Sequence, residues 1–180
     1  EGCINLEYAL DRLNQALPQD RIMLTDGGRY ITEVWCRVQV PDPNSFHMTD
    51  NFAAIGQGMQ QAIGAAHGEP SRPVVLFTGD GGFMMGGIGE FNTAVRTNRD
   101  LIVIICNDAA YGAEHIQMRD RQMDTSLTEF DWPSFAAVAV SLGGEGVEVA
   151  SPDDLETAIE AINKRQAPIV VELKLDPNKV

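Results

Sequence analysis

The stretch Val74-Val75-Leu76-Phe77-Thr78-Gly79-Asp80-Gly81-Gly82-Phe83, VVLFTGDGGF, joins an apolar run to an acid set among three glycines. The run reads as a buried strand, and the acid as its end. Asp-Gly is ordinary turn chemistry, so a tight turn is one reading. The other is that glycines let the backbone approach a ligand while the carboxylate holds a cation. The two differ in what they demand of the rest of the chain.

Two more runs resemble the first: LIVIIC from Leu101 and PIVVELKL from Pro168. Two of the three are apolar throughout rather than alternating, as in strands covered on both faces of a parallel sheet. A further strand is expected at RIMLT (21–25), a short one at FHM (46–48) and a weaker one at 146–149. Leu6, Ala9, Leu10, Leu13 and Leu17 recur at helical spacing until Pro18 stops them. Helices are also expected around 31–38, 54–66, 88–97, 132–142 and 152–164. The second of these carries Gly56, Gly58 and Gly64, each costing about 1 kcal/mol relative to Ala. Such a cluster implies close packing against another backbone or a ligand. The alternation predicts an α/β fold: a doubly wound, mainly parallel sheet with helices on both faces.

Composition narrows the function. The 180 residues, 44% hydrophobic, suit a single domain spanning 1–180. A net charge of -13, from 26 acids and 13 bases, argues against nucleic acid, whose phosphates need a basic surplus. Cys3, Cys36 and Cys106 are odd in number and share no metal-ligand spacing, which suits a reducing, cytoplasmic setting. No apolar stretch is long enough to span a bilayer and no signal peptide is expected, so membrane partners are set aside. The chain opens on Glu1 rather than Met and reads as a piece of something longer, or one subunit of it.

In open α/β sheets ligands sit beyond the carboxyl ends of the strands. Three such loops hold the unusual residues: DGGRY, GDGGF and NDAAYG. No Lys-Ser/Thr follows the glycines, which excludes a P-loop, and their spacing is not G-x-G-x-x-G. Asp80 would repel a phosphate unless a cation lay between them. Magnesium takes carboxylate and amide oxygens, completing its shell with phosphates and water. Asp80 offers a carboxylate at one strand end, and Asn107 an amide oxygen at the next. If the strands are neighbours, their ends lie about 4.8 Å apart. The amides of Gly81 and Gly82 could then hold phosphate oxygens. A turn acid and a capping Asn remain the plain alternative, but turn chemistry does not explain two such sites on adjacent strand ends.

Twenty-five residues, 82 through 106, separate Gly81 from Asn107. With GDGGFMM, the spaced ND and the following YG, the chain resembles the C-terminal, diphosphate-binding domain of thiamine diphosphate enzymes of the acetolactate synthase and benzoylformate decarboxylase group. The similarity runs from LPQDRIMLTDGG through NDAAYGAEH to PIVVELKLDP. It implies the thiamine diphosphate-binding fold, with thiamine diphosphate and Mg2+ as cofactors. Asp80, Asn107 and the backbone oxygen of Ala109 would be the metal ligands. Gly79, Gly81, Gly82, Gly28, Arg29, Tyr30, Tyr111 and Gly112 would surround the diphosphate. Ile55 would support the bend of the cofactor, and the carbonyl of Ala53 would face its 4'-amino group, which must come near the thiazolium C2.

The resemblance further implies a 2-oxo acid decarboxylase or carboligase acting on a small 2-oxo acid, in a homo-oligomer. No catalytic residue is assigned here. The activating glutamate belongs to a pyrimidine-binding domain that no segment matches, so this chain alone is expected to be inactive. A non-catalytic thiamine diphosphate-binding or scaffolding module is the alternative. A flavodoxin-like or receiver domain lacks the spaced Asp–Asn pair. The chain departs from its relatives at Asp50-Asn51 (a glycine pair), at MQQAIGA (59–65) and at Arg29-Tyr30 (HQ). Glu114, His115 and Glu90 read as loop or helix-surface residues, and Met84 and Met85 as apolar filling under the diphosphate loop.

Overall fold

The computed structural model describes residues 2–49 and 51–179; Asp50, half of the departing Asp-Asn pair, lies outside the described residues. Six strands, β1 (Ile22–Thr25), β2 (Phe46–Met48), β3 (Val74–Gly79), β4 (Leu101–Asn107), β5 (Glu145–Val149) and β6 (Ile169–Lys174), form one sheet. Their order is β2-β1-β3-β4-β6-β5, and every neighbouring pair is parallel. The helices are α1 (Leu6–Ala16), α2 (Ile31–Arg37), α3 (Gly58–Gly68), α4 (Asp80–Gly82), α5 (Ile88–Arg96), α6 (Gly112–Asp120), α7 (Phe135–Ser141) and α8 (Pro152–Lys164).

The apolar runs feed two cores because successive side chains of a strand point to opposite faces. Val75 and Phe77 of β3 join Ile102 and Ile104 of β4 beneath α1, α2 and α8. Val74 and Leu76 join Leu101, Val103 and Ile105 beneath α3, α5 and α7. This is the doubly wound α/β fold expected from the alternation of apolar runs and helices.

The chain leaves β1 through α2 on the first face and leaves β3 through α5 on the second. The crevice between the carboxyl ends of β1 and β3 is therefore a topological switch point, where such sheets bind ligands.

Several elements differ from expectation. Helix α3 begins at Gly58, not at residue 54, because Gly56 takes the left-handed φ of +85°. A Cβ on Gly56 would lie 3.2 Å from the carbonyl oxygen of Gly82, and one on Gly58 would lie 2.9 Å from Asp26 Cβ. Close packing thus explains those two glycines, while Gly64 faces open space. The helix expected over 88–97 starts earlier: α4 runs through a π-helical turn, Phe83–Gly87, into α5. No helix is expected after YG, yet α6 stands there with the His115 side chain buried against Thr128. Met85 is exposed rather than packed, whereas Met84 does pack on the second core.

Among the described residues no helix is long and apolar enough to cross a membrane.

Candidate functional site

A cavity of about 480 Å3 opens at the switch point. The loops after β1, β3 and β4 line it, with the segment between β2 and α3. Of the residues expected around the cofactor, Gly28, Arg29, Tyr30, Ala53, Ile55, Gly79, Asp80, Gly81, Gly82, Tyr111 and Gly112 all line this cavity. Asn107 and Ala109 are not among its lining residues.

Strand register brings the key pair side by side. Gly79 of β3 is paired with Cys106 of β4, so Asp80 and Asn107 are the next residues on adjacent strand ends. Asp80 opens the helical segment 80–96, and its cap residue Gly79 has no side chain to satisfy the first-turn N–H groups. A helix start left open in this way favours an anion. The glycines keep it clear. A Cβ on Gly81 would lie 2.6 Å from Tyr111 Cε1, and one on Gly82 would lie 3.0 Å from Asp26 Oδ2.

The Asp80 carboxyl is buried and accepts a hydrogen bond from Trp132 Nε1 at 2.8 Å. Burial, reinforced by the charge of Asp108, pushes its pKa up to about 7, against the pull of the Trp132 donor. Asp108 is itself raised by burial and partly offset by the Arg29 guanidinium. The floor of the cavity thus holds two buried acids that their partners offset only in part, a place where a cation lowers the energy of both groups.

Asn107 is held by its amide. Its Nδ2 donates to Glu172 Oε1 at 2.7 Å, and its Oδ1 accepts from Ala109 N at 2.9 Å. Ala109 adopts a left-handed φ of +55°, and its carbonyl accepts from Phe130 N at 2.8 Å. A cation at that oxygen would use the remaining lone pair.

Asp26, inside the loop DGGRY, is a residue that the sequence reading does not single out. Its Oδ1 accepts from Gly27 N at 2.8 Å and Thr49 Oγ1 at 2.9 Å, and its Oδ2 from Gly56 N at 2.8 Å. One buried carboxylate therefore ties together the loops after β1 and β2 and the turn before α3. Tyr30 offers the cavity only its ring, since its hydroxyl donates to the Asp26 carbonyl at 2.8 Å. Arg29 donates to Pro177 O at 2.8 Å, and its Nε and Nη2 are buried with no partner among the described residues.

Ile55 is half-exposed on the cavity wall rather than packed in the core. Just before it, Phe52 and Ala53 have φ of +58° and +52°, a left-handed pair that costs non-glycine residues of order 1 kcal/mol each. Phe52 is fully exposed. A run of aromatic contacts, Tyr111 to Phe130, Phe130 to Trp132 and Trp132 to Phe135, connects the cavity wall to the second core. Trp132, Asp26 and Glu172 are the polar supports that no local motif announces.

Among the described residues no group of three or more His, Cys, Asp or Glu is placed to hold a metal. The oxygens at the ends of β3 and β4 are the carboxylates of Asp80 and Asp108, the amide of Asn107 and backbone carbonyls.

Comparison with known proteins matches residues 26–173 to the family described as thiamine pyrophosphate enzyme, C-terminal TPP binding domain. The chain is 25% identical over 173 residues to the acetolactate synthase isozyme 2 large subunit of Escherichia coli (strain K12), covering 93% of this chain and 31% of that one. It is 28% identical over 169 residues to the sulfoacetaldehyde acetyltransferase of Castellaniella defragrans, covering 89% of this chain and 28% of the other. In fold it matches the thiamine diphosphate-dependent 4-hydroxybenzoylformate decarboxylase of Rhodococcus jostii RHA1, with a TM-score of 0.88 at 21% identity over 100% of this chain and 34% of that one. The chain spans about a third of the length of these proteins.

Proposed function

The chain belongs to the family of C-terminal TPP-binding domains of thiamine pyrophosphate enzymes, and from that premise we propose that it holds the diphosphate of thiamine diphosphate through Mg2+ as one domain, residues 1–180, of a 2-oxo acid decarboxylase or carboligase. The observation that carries this reading is the glycine-walled helix start at Asp80–Gly82, open to the cavity at the switch point. Its neighbours suit a diphosphate held through a hard cation. Asp80 and Asn107 offer oxygens, and the backbone of Ala109 offers another. Gly81 and Gly82 present N–H groups, and Arg29 has two donors with no partner among the described residues. Magnesium commonly takes one or two protein carboxylates and completes its shell with phosphate oxygens and water.

Within this reading each residue has a task. Asp80 and Asn107 position the ion, whose charge offsets the acidic floor. Gly81 and Gly82 let the phosphates reach backbone N–H groups. Ile55 and the ring of Tyr30 give the cavity apolar walls that exclude water. Asp26 fixes the loop that carries Ala53 and Ile55. Thiamine diphosphate, when bound, supplies the electron sink for breaking or making a C–C bond beside a carbonyl. The acid that serves the pyrimidine ring is assigned to a pyrimidine-binding domain of the same or a partner chain. The substrate is a small 2-oxo acid. A homo-oligomer and a cytoplasmic setting complete the proposal.

The test compares this chain alone with the chain joined to a pyrimidine domain. Decarboxylation of pyruvate and benzoylformate and hydrogen–deuterium exchange at the cofactor's C2 are measured in both. The chain alone is expected to be inert and the joined protein active. Fast C2 exchange by the chain alone would refute the half-site reading. A joined protein that binds cofactor yet stays inert would favour a scaffolding module.

A further inference from the structure

We infer that Glu172 is a positioning residue: it sets the oxygen of the Asn107 amide toward the cation site and anchors the segment that supports Asp80. This rests on the reading of Asn107 and Asp80 as Mg2+ ligands. Glu172 lies on β6 facing α7, and it is fully buried, at 0% exposure. A charge in such a place needs several partners. Its Oε1 accepts from Asn107 Nδ2 at 2.7 Å and from Lys174 Nζ at 3.0 Å. Its Oε2 accepts from Ala136 N at 3.0 Å and Ser134 Oγ at 3.4 Å.

An ionised carboxylate accepts hydrogen bonds and donates none. It therefore admits one orientation of the Asn107 amide, nitrogen toward Glu172 and oxygen away. The Ala109 N–H, donating to Asn107 Oδ1, enforces the same choice from the other side. The second oxygen holds the segment that carries the partner of Asp80. Ser134 and Ala136 form the start of α7, two and four residues beyond Trp132, whose indole donates to Asp80 Oδ2. One carboxylate thus stands behind both side chains that would hold the ion.

Glu172→Gln changes this logic with almost no change in shape. The Ala136 N–H is fixed by the helix and keeps the oxygen of the new amide. Its NH2 then meets the Asn107 NH2, donor against donor. Either the Asn107 amide flips or the contact opens, and the oxygen is no longer set for a cation.

The experiment measures Mn2+ binding by electron paramagnetic resonance, with thiamine diphosphate present, in this chain and four variants. Glu172→Gln is expected to weaken Mn2+ by about 10- to 100-fold, as loss of a supporting partner of a ligand does. In an Asn107→Ala background the same change is expected to matter less than about threefold, because the residue it positions is gone. The exchanged pair Glu172→Gln with Asn107→Asp restores the carboxylate–amide contact in reverse and is expected to recover binding to within about tenfold of the parent. A merely structural role predicts instead a lower melting temperature and the same loss in both backgrounds. That result, or unchanged Mn2+ affinity in Glu172→Gln, would overturn the inference. Should Glu172→Gln alone not fold, the exchanged pair carries the test, and its failure to bind Mn2+ while folded would overturn it too. A parent chain that binds no Mn2+ with thiamine diphosphate removes the functional reading itself, and the role of Glu172 with it.

Discussion

Replacing Asp80 by Asn should stabilise the metal-free chain while abolishing its hold on a cation. In the folded chain the carboxyl titrates near 7, raised from 3.8 chiefly by burial and then by Asp108. The folded state therefore binds a proton more tightly than the unfolded one. Stability from this group falls as pH rises from the unfolded value through 7, and the full penalty is present above it. At 1.36 kcal/mol per pKa unit, the penalty is about 2 kcal/mol at pH 5 and about 4 kcal/mol at pH 8. Asn carries no charge and keeps an oxygen for the Trp132 indole, so it escapes the penalty without losing the hydrogen bond. Urea denaturation of both chains with a chelator present, at pH 5 and pH 8, measures this. The variant should be the more stable at both, with its advantage growing by about 2 kcal/mol between them. An advantage that does not change with pH, or a variant less stable at pH 8, would refute the reasoning. Such a trade of stability for a charged site is common where function needs an unfavourable group.

Two further outcomes follow from the supports of the site. Trp132→Phe removes the donor to Asp80, a hydrogen bond to a charged group worth roughly 1.5–3 kcal/mol, and should cost most at pH 8, where the carboxyl is ionised; a loss equal at pH 5 and pH 8 would mean that packing alone was removed. Ala109→Gly relieves a φ of +55° and should raise stability by roughly 0.5–1 kcal/mol in thermal melts. Cation affinity should stay within about threefold, since the proposed ligand is a backbone oxygen; a larger loss would show that the side chain matters.

The fold was legible where burial dictates composition. Strands such as β3 and β4 are covered on both faces, so their apolar runs announce them. Local signals failed where distant contacts decide. Glycines 81, 82, 86 and 87 lower helix propensity, which hid the start of the helix at Asp80. Gly81, Gly82 and Gly86 are glycine because other loops press on them: a Cβ on Gly86 would lie 2.2 Å from the carbonyl oxygen of Gly56, while one on Gly87 would meet the ring of Phe83 in the same helical segment. Helix α6 is opened by Gly112 and has a mostly polar surface, so it shows no apolar stripe. The placement of Asp80 and Asn107 on adjacent strand ends was legible because each closes an apolar run. The role of Glu172 was not, since its partner Asn107 is 65 residues away and becomes a neighbour only when β4 pairs with β6. Trp132 lies 52 residues from Asp80 and gives no local sign of its role.

The central claim is that the ion and the diphosphate complete one another at Asp80 and Asn107. Thermal melting of this chain with Mg2+ and thiamine diphosphate, singly and together, tests it most directly. Ligand at 100 times its dissociation constant adds about 2.7 kcal/mol. For a chain of this size that is a rise of roughly 5–11 °C. The account predicts this rise with both present, a smaller one with either alone, and none in Asp80→Ala. An equal rise with thiamine diphosphate in the presence of a chelator, or an undiminished rise in Asp80→Ala, would contradict it.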